Sequence, residues 1–434
     1  MDILHVTGPT PLHGEVQVSG AKNAISKLLT ASMLTSERCI FSNAPYIGDT
    51  KVTRDICQKL GAYILQDDPR LLIAQTKNIT HVEVPEDLAQ QNRLSVMMLA
   101  PLLHRAGKAI IPAAGGDRIG VRPVDFHLDG YRKMGAHITI EDDVYIAEAD
   151  GLKGADIALS YPSVTTTENL LMAAVLANGR TYIRNAAIEP EIMDLVYFLQ
   201  KMGAIIDYQI DRTFIIEGVT ELHGTLHEVI PDRLVASSFA VAAIASGGDL
   251  FVKGAQQADL LTFLNTLRRV GGQFDIEADG IRFYHKDDLK SIAIETTVHP
   301  GFMTDWHPPF AVLLTQASGI SVIHETVFED RLTYVPQLQK MGADIEVYDQ
   351  CLGTGNCRYR TTNNRHSALI KGPAKLHGAD IIIPDLRAGF TYLLAAIIAN
   401  GETIIRGIEE LDRGYEHIDE ALSNAGAQIR RESE

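Results

Sequence analysis

A phrase that occurs six times restricts the fold of this chain more than any other feature of its sequence. Each copy has an apolar residue, then Gly-Ala or Gly-Gly, then a predicted strand. The first glycines of the six copies are Gly61, Gly135, Gly203, Gly271, Gly342 and Gly426. Their spacings are 74, 68, 68, 71 and 84 residues. Self-similarity at such a period predicts a molecule built from similar supersecondary units.

The third copy indicates how one unit is built. Residues 169–177 predict an apolar helix that stops at Asn178-Gly179, and residues 181–184 predict a strand. Residues 191–202 carry apolar side chains at helical spacing, and the next strand begins at 205. Each unit therefore has two helices and several strands, which indicates an α/β fold. The repeated glycines are predicted to be left-handed residues that end the second helix of each unit.

Length and charge limit the class of protein. A chain of 434 residues is long for one core, which favours two domains or a closed repeat. The net charge of −16 argues against binding to nucleic acid or to an anionic membrane. No apolar run reaches the roughly 20 residues of a membrane helix, and no secretion signal is visible, so a cytoplasmic protein is expected.

The four cysteines raise the question of whether the chain binds a metal ion. The spacing Cys351-x5-Cys357 is compatible with a metal site, whereas Cys39 and Cys57 show no paired spacing. Isolated cysteines in a reducing compartment are the favoured interpretation. We therefore expect neither a metal nor another cofactor.

Charged residues recur in the loops before the two helices of each unit. Free backbone N–H groups and the helix dipole favour anions there, although surface salt bridges are a serious alternative. The residues near the first helix are Lys22, Arg93, Glu168, Arg233, Asp305 and Arg387. Those near the second are Asp117, Arg118, Arg122, Glu191, Arg331 and Arg413.

Two glycine-containing segments stand out among these loops. Residues 19–24 place Gly20 and Lys22 between a strand and a helix, which suits close approach of an anion, although a capping lysine is an equal alternative. Residues 113–125 contain three glycines, two arginines and Asp117. Long glycine-containing loops on a rigid scaffold are often lids, so this loop is predicted to be a lid over residues 113–123.

Two further segments combine charge with a predicted helix start. Asp305 precedes the single tryptophan, and an N-cap is its default interpretation. Arg413 follows Asp412, so a local ion pair is the plain alternative to a binding role. The segments 231–233 and 384–387 resemble each other and are expected to do related work, at a site or a domain joint. Together these loops predict an anion-handling α/β repeat enzyme with acid–base groups.

In this order, and over essentially the whole chain, the motifs resemble those of the enolpyruvyl transferases, above all the branch that acts on UDP-N-acetylglucosamine. The matching segments are 20–24, 115–125, 189–191, 231–233, 304–305, 325–329, 385–387 and 412–416. The resemblance implies a two-domain inside-out α/β barrel with three repeats per domain, helices inside and sheets outside. It places one domain at 22–230 and the other at 1–21 plus 231–434.

The resemblance also implies a reaction. Phosphoenolpyruvate is protonated at its enol carbon, and the 3-hydroxyl of UDP-N-acetylglucosamine attacks the adjacent carbon. The tetrahedral intermediate then loses phosphate, which is the first committed step of peptidoglycan precursor synthesis. Phosphoenolpyruvate would be held by Lys22, Arg122 and Arg413, with Arg93 and Arg387 nearby. These substrates are the expected partners; protein partners are not indicated.

The remaining roles also follow from the resemblance. Asp305 would receive the hydroxyl proton, and Asn23 would hydrogen-bond the reacting hydroxyl. Asp117 would act as the acid or assist product release. The acceptor would be bound by the uridine segment Arg122, Pro123, Val124, Asp125 and Phe126, by the facing loop Ser163, Val164 and Thr165, and by the backbone of Val327.

The chain departs from the family pattern in three places. Asp117 stands where many members have a lid cysteine that fosfomycin alkylates, so insensitivity to fosfomycin is expected. Residues 161–165 lack the basic residue and glycine that are common there. Residues 350–366 account for the long last spacing and are expected to form a surface excursion.

Three alternatives remain open at this point. The sister enzyme that uses shikimate 3-phosphate shares the fold, but residues 122–125 favour a nucleotide sugar. A paralogue could use another uridine nucleotide, given residues 161–165. A catalytically silent nucleotide-sugar sensor has no need for the acid–base pair Asp117 and Asp305.

Overall fold

A computed structural model of the chain describes residues 2–68, 70–91, 93–113, 115, 124–355 and 357–433, and for Arg387 the backbone. The helices are α1 (Lys22–Ser32), α2 (Gly48–Lys59), α3 (Glu86–Ala89), α4 (Leu99–Ala106), α5 (Asp125–Lys133), α6 (Val164–Ala174), α7 (Pro190–Lys201), α8 (Arg233–Ala245), α9 (Gln257–Val270), α10 (His307–Thr315), α11 (Val335–Lys340), α12 (Leu386–Ile398), α13 (Glu409–Asp412) and α14 (Ile418–Asn424). A 3₁₀ helix spans Arg93–Met98.

The strands are short and occur in every part of the described chain. They are β1 (Asp2–Gly8), β2 (His13–Gln17), β3 (Arg38–Ser42), β4 (Tyr63–Asp68), β5 (Leu71–Gln75), β6 (Lys108–Pro112), β7 (His137–Glu141), β8 (Val144–Glu148), β9 (Asp156–Ala158), β10 (Arg180–Arg184), β11 (Ile205–Gln209), β12 (Thr213–Glu217), β13 (Leu226–Glu228), β14 (Asp249–Lys253), β15 (Gln273–Ile276), β16 (Gly280–Tyr284), β17 (Ala293–Glu295), β18 (Gly319–His324), β19 (Asp344–Tyr348), β20 (Ser367–Gly372), β21 (Asp380–Ile382), β22 (Gly401–Arg406) and β23 (Gln428–Ser433).

Six sheets in the described residues share one topology. Five have four strands, ordered β13-β3-β5-β4, β11-β12-β10-β9, β15-β16-β14-β2, β17-β18-β20-β19 and β21-β22-β1-β23. Each contains one parallel pair, such as β9 with β10, and two antiparallel pairs. The sixth is β6-β8-β7, where a parallel bridge between Glu83 and Ile110 stands in the place of the fourth strand. One α/β unit therefore recurs around each sheet.

The chain forms two compact units, each with its own apolar core. One unit contains residues 2–19 and 231–433, and the other contains residues 20–115 and 124–230. In the first, β1 pairs with β22 and β23, and β2 pairs with β14, so the amino-terminal strands complete two of its sheets.

Buried helices form part of the core of the unit that contains residues 231–433. Every residue of α10 is buried, and so is every residue of α8 except Ala245. A helix that is apolar on all sides is stable only inside a protein, which explains these positions. The second helix of a unit is instead amphipathic, as in α9, where Leu260, Phe263 and Leu267 face the core. Within the described residues, no helix has the length and apolar character to cross a membrane.

The glycine prediction is confirmed, whereas some helix limits were wrong. The repeated glycines have φ of 117°, 93°, 107°, 111°, 94° and 107°, all left-handed. Helix α6 begins at Val164 rather than 169, because Ser163 accepts a hydrogen bond from the Thr166 N–H and caps the helix earlier.

Candidate active site

Lys22 begins α1 beside a tight backbone crossing. A Cβ at Gly20 would lie 1.9 Å from the carbonyl oxygen of Asn43, so glycine is needed there. The Lys22 Nζ lies 2.9 Å from Asp49 Oδ2, and both side chains are almost enclosed, at 11% and 8% exposure. Asp49 is in the first turn of α2. The predicted anion-binding lysine is therefore oriented by a buried carboxylate, and an ammonium group retains donors for a second anion.

Asn23 follows Lys22 in the first turn of α1, and its carbonyl oxygen accepts a hydrogen bond from Lys27 Nζ at 2.7 Å. The same ammonium group lies 3.5 Å from Glu168 Oε2, a carboxylate with no exposed surface. Burial raises the pKa of Glu168 to about 7, and the negative charges of Glu191 and Glu189 add to the effect that Lys27 opposes. Lys27, one helical turn after Asn23, therefore links the Asn23 backbone to a buried acid with a pKa of about 7.

This buried acid predicts a pH dependence of stability. Because folding raises the Glu168 pKa from its ordinary value of 4.5 to about 7, the folded state binds more protons than the unfolded state between these values. The contribution of Glu168 to the free energy of unfolding is therefore fully present below pH 4.5. This contribution is lost as pH rises to 7, by up to about 3 kcal/mol. We expect the free energy of unfolding of Glu168→Gln to depend less on pH in this range, as measured by urea denaturation. Glu141→Gln, an exposed change, is the control, and identical slopes for all three proteins would contradict the prediction.

A buried polar network joins Arg93, at the start of the 3₁₀ helix, to α5 and α6. The Asn169 Nδ2 group donates to the Val96 carbonyl oxygen and to His127 Nδ1, both at 3.0 Å. His127 therefore carries its proton on Nε2, which lies 3.4 Å from the Thr165 hydroxyl. Burial, and then the charge of Arg93, lower the pKa of His127 to about 3, so the ring is neutral.

This network brings together the described parts of the two segments predicted to bind uridine. Val124 precedes α5, where Asp125 is exposed and Phe126 half-buried, and His127 follows directly. Ser163, Val164 and Thr165 form the start of α6, and Thr165 contacts His127. Gly130 permits the close packing of α5 on α6, since a Cβ there would lie 2.4 Å from the Leu170 side chain. The two segments thus belong to one rigid surface.

Asp305 is held by an arginine rather than by a helix cap. Helix α10 begins at His307 after Trp306, without a side-chain cap, so the N-cap interpretation was wrong. The Asp305 Oδ1 accepts a hydrogen bond from Arg331 Nη2 at 2.8 Å, and Arg331 is 2% exposed. Arg331 Nη1 lies 3.5 Å from Asp385, which also caps α12 through the Ala388 N–H. A buried guanidinium therefore joins the predicted base to the start of α12.

Glu325 organises the turn on either side of Asp305. Its Oε2 accepts the Thr304 hydroxyl at 2.9 Å and lies 3.0 Å from His307 Nε2. Although burial opposes ionisation, the His307 contact and the N–H groups of Phe328 and Val327 hold the pKa of Glu325 below its ordinary value. Burial disfavours the charged form of His307 and therefore lowers the pKa of its imidazole. A buried carboxylate that accepts the Thr304 hydroxyl and lies beside the His307 ring therefore contacts both sides of this turn.

The backbone of Val327 is already engaged on both sides. Its N–H donates to Glu325 Oε1 at 2.6 Å, and its carbonyl oxygen accepts the Tyr359 hydroxyl at 2.7 Å. A carbonyl oxygen has a second lone pair. If a sugar binds the backbone of Val327, as predicted, the carbonyl oxygen is therefore the atom that can accept a further hydrogen bond.

Arg413 lies at the end of α13, not at a helix start, with its side chain 22% exposed. Its Nη1 donates to Glu410 Oε2 at 2.6 Å, whereas Asp412 pairs with Arg431 at 2.9 Å. The alternative of a local Asp412–Arg413 pair was therefore wrong. Asp232 caps α8 as Asp385 caps α12, which explains why the segments 231–233 and 384–387 resemble each other.

Several predicted site residues lie outside the described part of the chain. They are Asp117, Arg118, Arg122, Pro123 and the side chain of Arg387, with most of the predicted lid. Four partners of the predicted site residues had no role predicted from the sequence, namely Asp49, Arg331, Glu325 and His127. Two of them carried a signal in the sequence. Arg331 is one of the charged residues that recur near the second helix of each unit, and Glu325 belongs to the matching segment 325–329. Asp49 and His127 carried no such signal, and only the tertiary structure shows their contacts.

Comparison with known proteins identifies the family. The model of the EPSP synthase (3-phosphoshikimate 1-carboxyvinyltransferase) family matches residues 6–432. The chain belongs to the EPSP synthase family of enolpyruvyl transferases. A family member named UDP-N-acetylglucosamine 1-carboxyvinyltransferase, from Protochlamydia amoebophila (strain UWE25), is 48% identical over 99% of this chain and 94% of its own length. A protein of the same name from Gluconobacter oxydans (strain 621H) is 43% identical over the full length of both chains.

Solved structures of enolpyruvyl transferases have the same fold. The enolpyruvyl transferase NikO from Streptomyces tendae has a TM-score of 0.87 at 23% identity, covering 99% of this chain and 98% of that one. EPSP synthase from Acinetobacter baumannii has a TM-score of 0.76 at 16% identity over the whole of both chains. The predicted α/β fold is therefore confirmed, and the family match and the two relatives confirm the predicted enzyme class.

Proposed function

We propose that this enolpyruvyl transferase moves the enolpyruvyl group of phosphoenolpyruvate to the 3-hydroxyl of UDP-N-acetylglucosamine and releases phosphate. The observation that carries the proposal is the full-length identity of 40–48% to proteins named UDP-N-acetylglucosamine 1-carboxyvinyltransferase. The reaction is the first committed step of peptidoglycan precursor synthesis.

Phosphoenolpyruvate is an anion, and we propose that a set of cationic side chains binds it. Lys22, Arg122 and Arg413, with Arg93 and Arg387, bind the carboxylate and phosphate of phosphoenolpyruvate. Fixed cations stabilise the charge that moves to the leaving phosphate, and they act without reorganising. Asp49 orients Lys22, since their atoms lie 2.9 Å apart.

Proton transfers need an acid and a base. Asp305 receives the proton of the attacking 3-hydroxyl, and Asn23 hydrogen-bonds that hydroxyl. Arg331 and Glu325 hold the Asp305 turn in one geometry, which is what a general base requires. Asp117 supplies the proton to the enol carbon or assists product release. Its pKa must lie well above roughly 3.9 for the first of these roles.

The acceptor is held by the surface of α5 and α6. Arg122, Pro123, Val124, Asp125 and Phe126 bind uridine from one side, and Ser163, Val164 and Thr165 from the other. The neutral His127 between these segments fixes their spacing through Thr165. Val327 offers its carbonyl oxygen to the sugar.

The repeated sheet topology supports the finer description of the fold. We propose an inside-out α/β barrel with three repeats in each of two domains, 22–230 and 1–21 plus 231–434, and a lid at 113–123. A cytoplasmic location is proposed because all four cysteines are free, and disulfides are rare in reducing compartments.

Phosphate release from phosphoenolpyruvate tests the acceptor. We expect release with UDP-N-acetylglucosamine and none with UMP or shikimate 3-phosphate. Release with shikimate 3-phosphate instead would assign the chain to the sister reaction. Tight binding of UDP-N-acetylglucosamine with no release for any acceptor would support the silent sensor and overturn the proposal.

Insensitivity to fosfomycin is a further prediction of the proposed lid. Asp117 lacks the thiol that the drug alkylates, and burial raises the pKa of Cys39 to about 11 and of Cys57 to about 12, so these thiols are unreactive. Activity and intact mass should be unchanged after incubation with fosfomycin and UDP-N-acetylglucosamine. The matched variant Asp117→Cys should show time-dependent inactivation. Covalent, time-dependent inactivation of the unaltered protein would disprove the prediction.

A further inference from the structure

The connection between β19 and β20 is much longer than its counterparts in the other sheets. It spans residues 349–366, whereas the corresponding turn between β11 and β12 spans only residues 210–212. Long loops without secondary structure need their own stabilising contacts. The described part of this connection contains Cys351, Cys357 and His366.

Four potential metal ligands meet where this connection crosses the sheet. The ligand atoms of His324, Cys351, Cys357 and His366 all lie within 4.8 Å of one another. The Cys351 Sγ lies 3.3 Å from His366 Nε2. With Zn–S of about 2.3 Å and Zn–N of about 2.0–2.1 Å, a tetrahedral site separates its ligand atoms by roughly 3.3–3.8 Å. The cluster therefore needs only small movements to reach tetrahedral geometry.

Both histidines are held so that Nε2 faces the cluster. His324 Nδ1 lies 3.1 Å from Glu295 Oε2, and its Nε2 is buried without a hydrogen-bond partner. His366 Nδ1 lies 2.7 Å from the carbonyl oxygen of Asn364, so Nδ1 carries the proton and Nε2 a lone pair. Metal-binding histidines almost always donate their other N–H to a carboxylate or carbonyl in this way.

The loop is fitted closely around the same carboxylate. Glu295 Oε2 accepts the N–H groups of Thr354 and Gly355 at 3.1 and 3.3 Å. A Cβ at Gly353 would lie 1.8 Å from His324 Nδ1, and one at Gly355 would lie 2.1 Å from Glu295 Oε1. A side chain at either position would displace His324 or Glu295 from its present place, so the two glycines let the loop lie close to both.

The thiols also have the surroundings of ligands. The Tyr359 N–H donates to Cys357 Sγ at 3.3 Å.

We propose that His324, Cys351, Cys357 and His366 bind one Zn²⁺ ion in a structural Cys₂His₂ site that fixes the 349–366 connection. Two thiolates with two imidazoles in a tetrahedral arrangement select zinc over magnesium, calcium or manganese. Binding displaces one proton from each thiol and involves no change of oxidation state. Four protein ligands leave no open position, so the ion is structural rather than catalytic.

The rigid part of the site comes from the sheet. His324 ends β18, its parallel neighbour Glu295 ends β17, and His366 immediately precedes β20. A bound ion would tie the two cysteines to these three strands. The loop also carries Tyr359, whose ring is buried and whose hydroxyl holds the Val327 carbonyl. Zinc would thereby stabilise the contact between the connection and the 325–328 segment.

Cobalt titration of the full-length, reduced protein tests the proposal. Co²⁺ alone should give the visible bands of a tetrahedral site and a thiolate charge-transfer band, saturating at one equivalent. Zn²⁺ should abolish both, protect two of the four thiols from modification and raise the midpoint of thermal unfolding. Absence of the tetrahedral spectrum, or a Cys351–Cys357 disulfide in the reduced preparation, would overturn the proposal.

Variants separate this site from nonspecific binding. Cys351→Ser and Cys357→Ser should lose the cobalt spectrum, and Glu295→Gln should bind about 10–100-fold more weakly. Cys39→Ala, which removes a buried thiol outside the cluster, should bind like the unaltered protein. An unchanged spectrum in both serine variants would contradict the assignment. If a variant does not fold, the stoichiometry and thiol protection of the unaltered protein still decide the question.

Discussion

Lys22→Ala is expected to lower the rate of phosphate release by about 100- to 1,000-fold, the usual cost of removing one preorganised charge from a transition state. The variant also removes the ammonium group that pairs with the buried Asp49 carboxylate, so the negative charge of Asp49 would then oppose binding of an anion. We therefore expect a higher KM for phosphoenolpyruvate together with the lower kcat. A continuous assay of phosphate release with UDP-N-acetylglucosamine measures both constants.

Two comparisons make the Lys22 prediction specific. Lys51→Ala removes an exposed lysine from the neighbouring helix α2 and should leave both constants unchanged. Lys22→Arg keeps the charge but not the compact ammonium group, and should retain more activity than the alanine variant. A folded Lys22→Ala protein with unaltered kcat and KM would refute the assignment of Lys22 to phosphoenolpyruvate.

Asp305→Asn is the second large effect that we predict. Asparagine preserves the shape of the side chain but cannot accept the hydroxyl proton, and removal of a general base typically lowers rates by about 100- to 10,000-fold. The substitution also removes the charge of a carboxylate that pairs with the buried Arg331, so stability should fall as well. Single-turnover formation of product should therefore be slow, while binding of UDP-N-acetylglucosamine, measured by calorimetry, should be largely retained.

The control for Asp305 is Asp330→Asn, an exposed change beside Arg331 in sequence. Asp330→Asn should react at the normal rate. If Asp305→Asn loses nucleotide-sugar binding in proportion to its rate, Asp305 would instead be a binding residue. If it keeps the full rate, another group must accept the proton.

Local patterns in the sequence were enough to predict the repeat and its helix ends. The six left-handed glycines follow from a backbone requirement that a single residue meets, so each could be recognised from its own neighbours. Lys22 was recognisable for the same reason, because its short glycine segment lies between a strand and a helix. Ser163 was missed as a cap, since the apolar run that predicted α6 begins only after it.

Contacts between distant segments were not predictable from such patterns. Asp49 reaches Lys22 from another helix, and Arg331 reaches Asp305 across 26 residues. The cysteines of 349–366 match no common zinc spacing, because His324 ends a strand that precedes them by many residues. Only the pairing of β18 with β20 brings His324 to His366 and turns the pattern into a recognisable cluster.

The product of the reaction tests the central claim most directly. The protein should be incubated with phosphoenolpyruvate and UDP-N-acetylglucosamine, and the nucleotide product analysed by mass spectrometry and NMR. We expect a UDP-N-acetylglucosamine that has gained one enolpyruvyl group, with two vinyl protons and an ether bond at the sugar 3-oxygen. An unmodified nucleotide sugar, or an enolpyruvyl group at another oxygen, would contradict the proposed function.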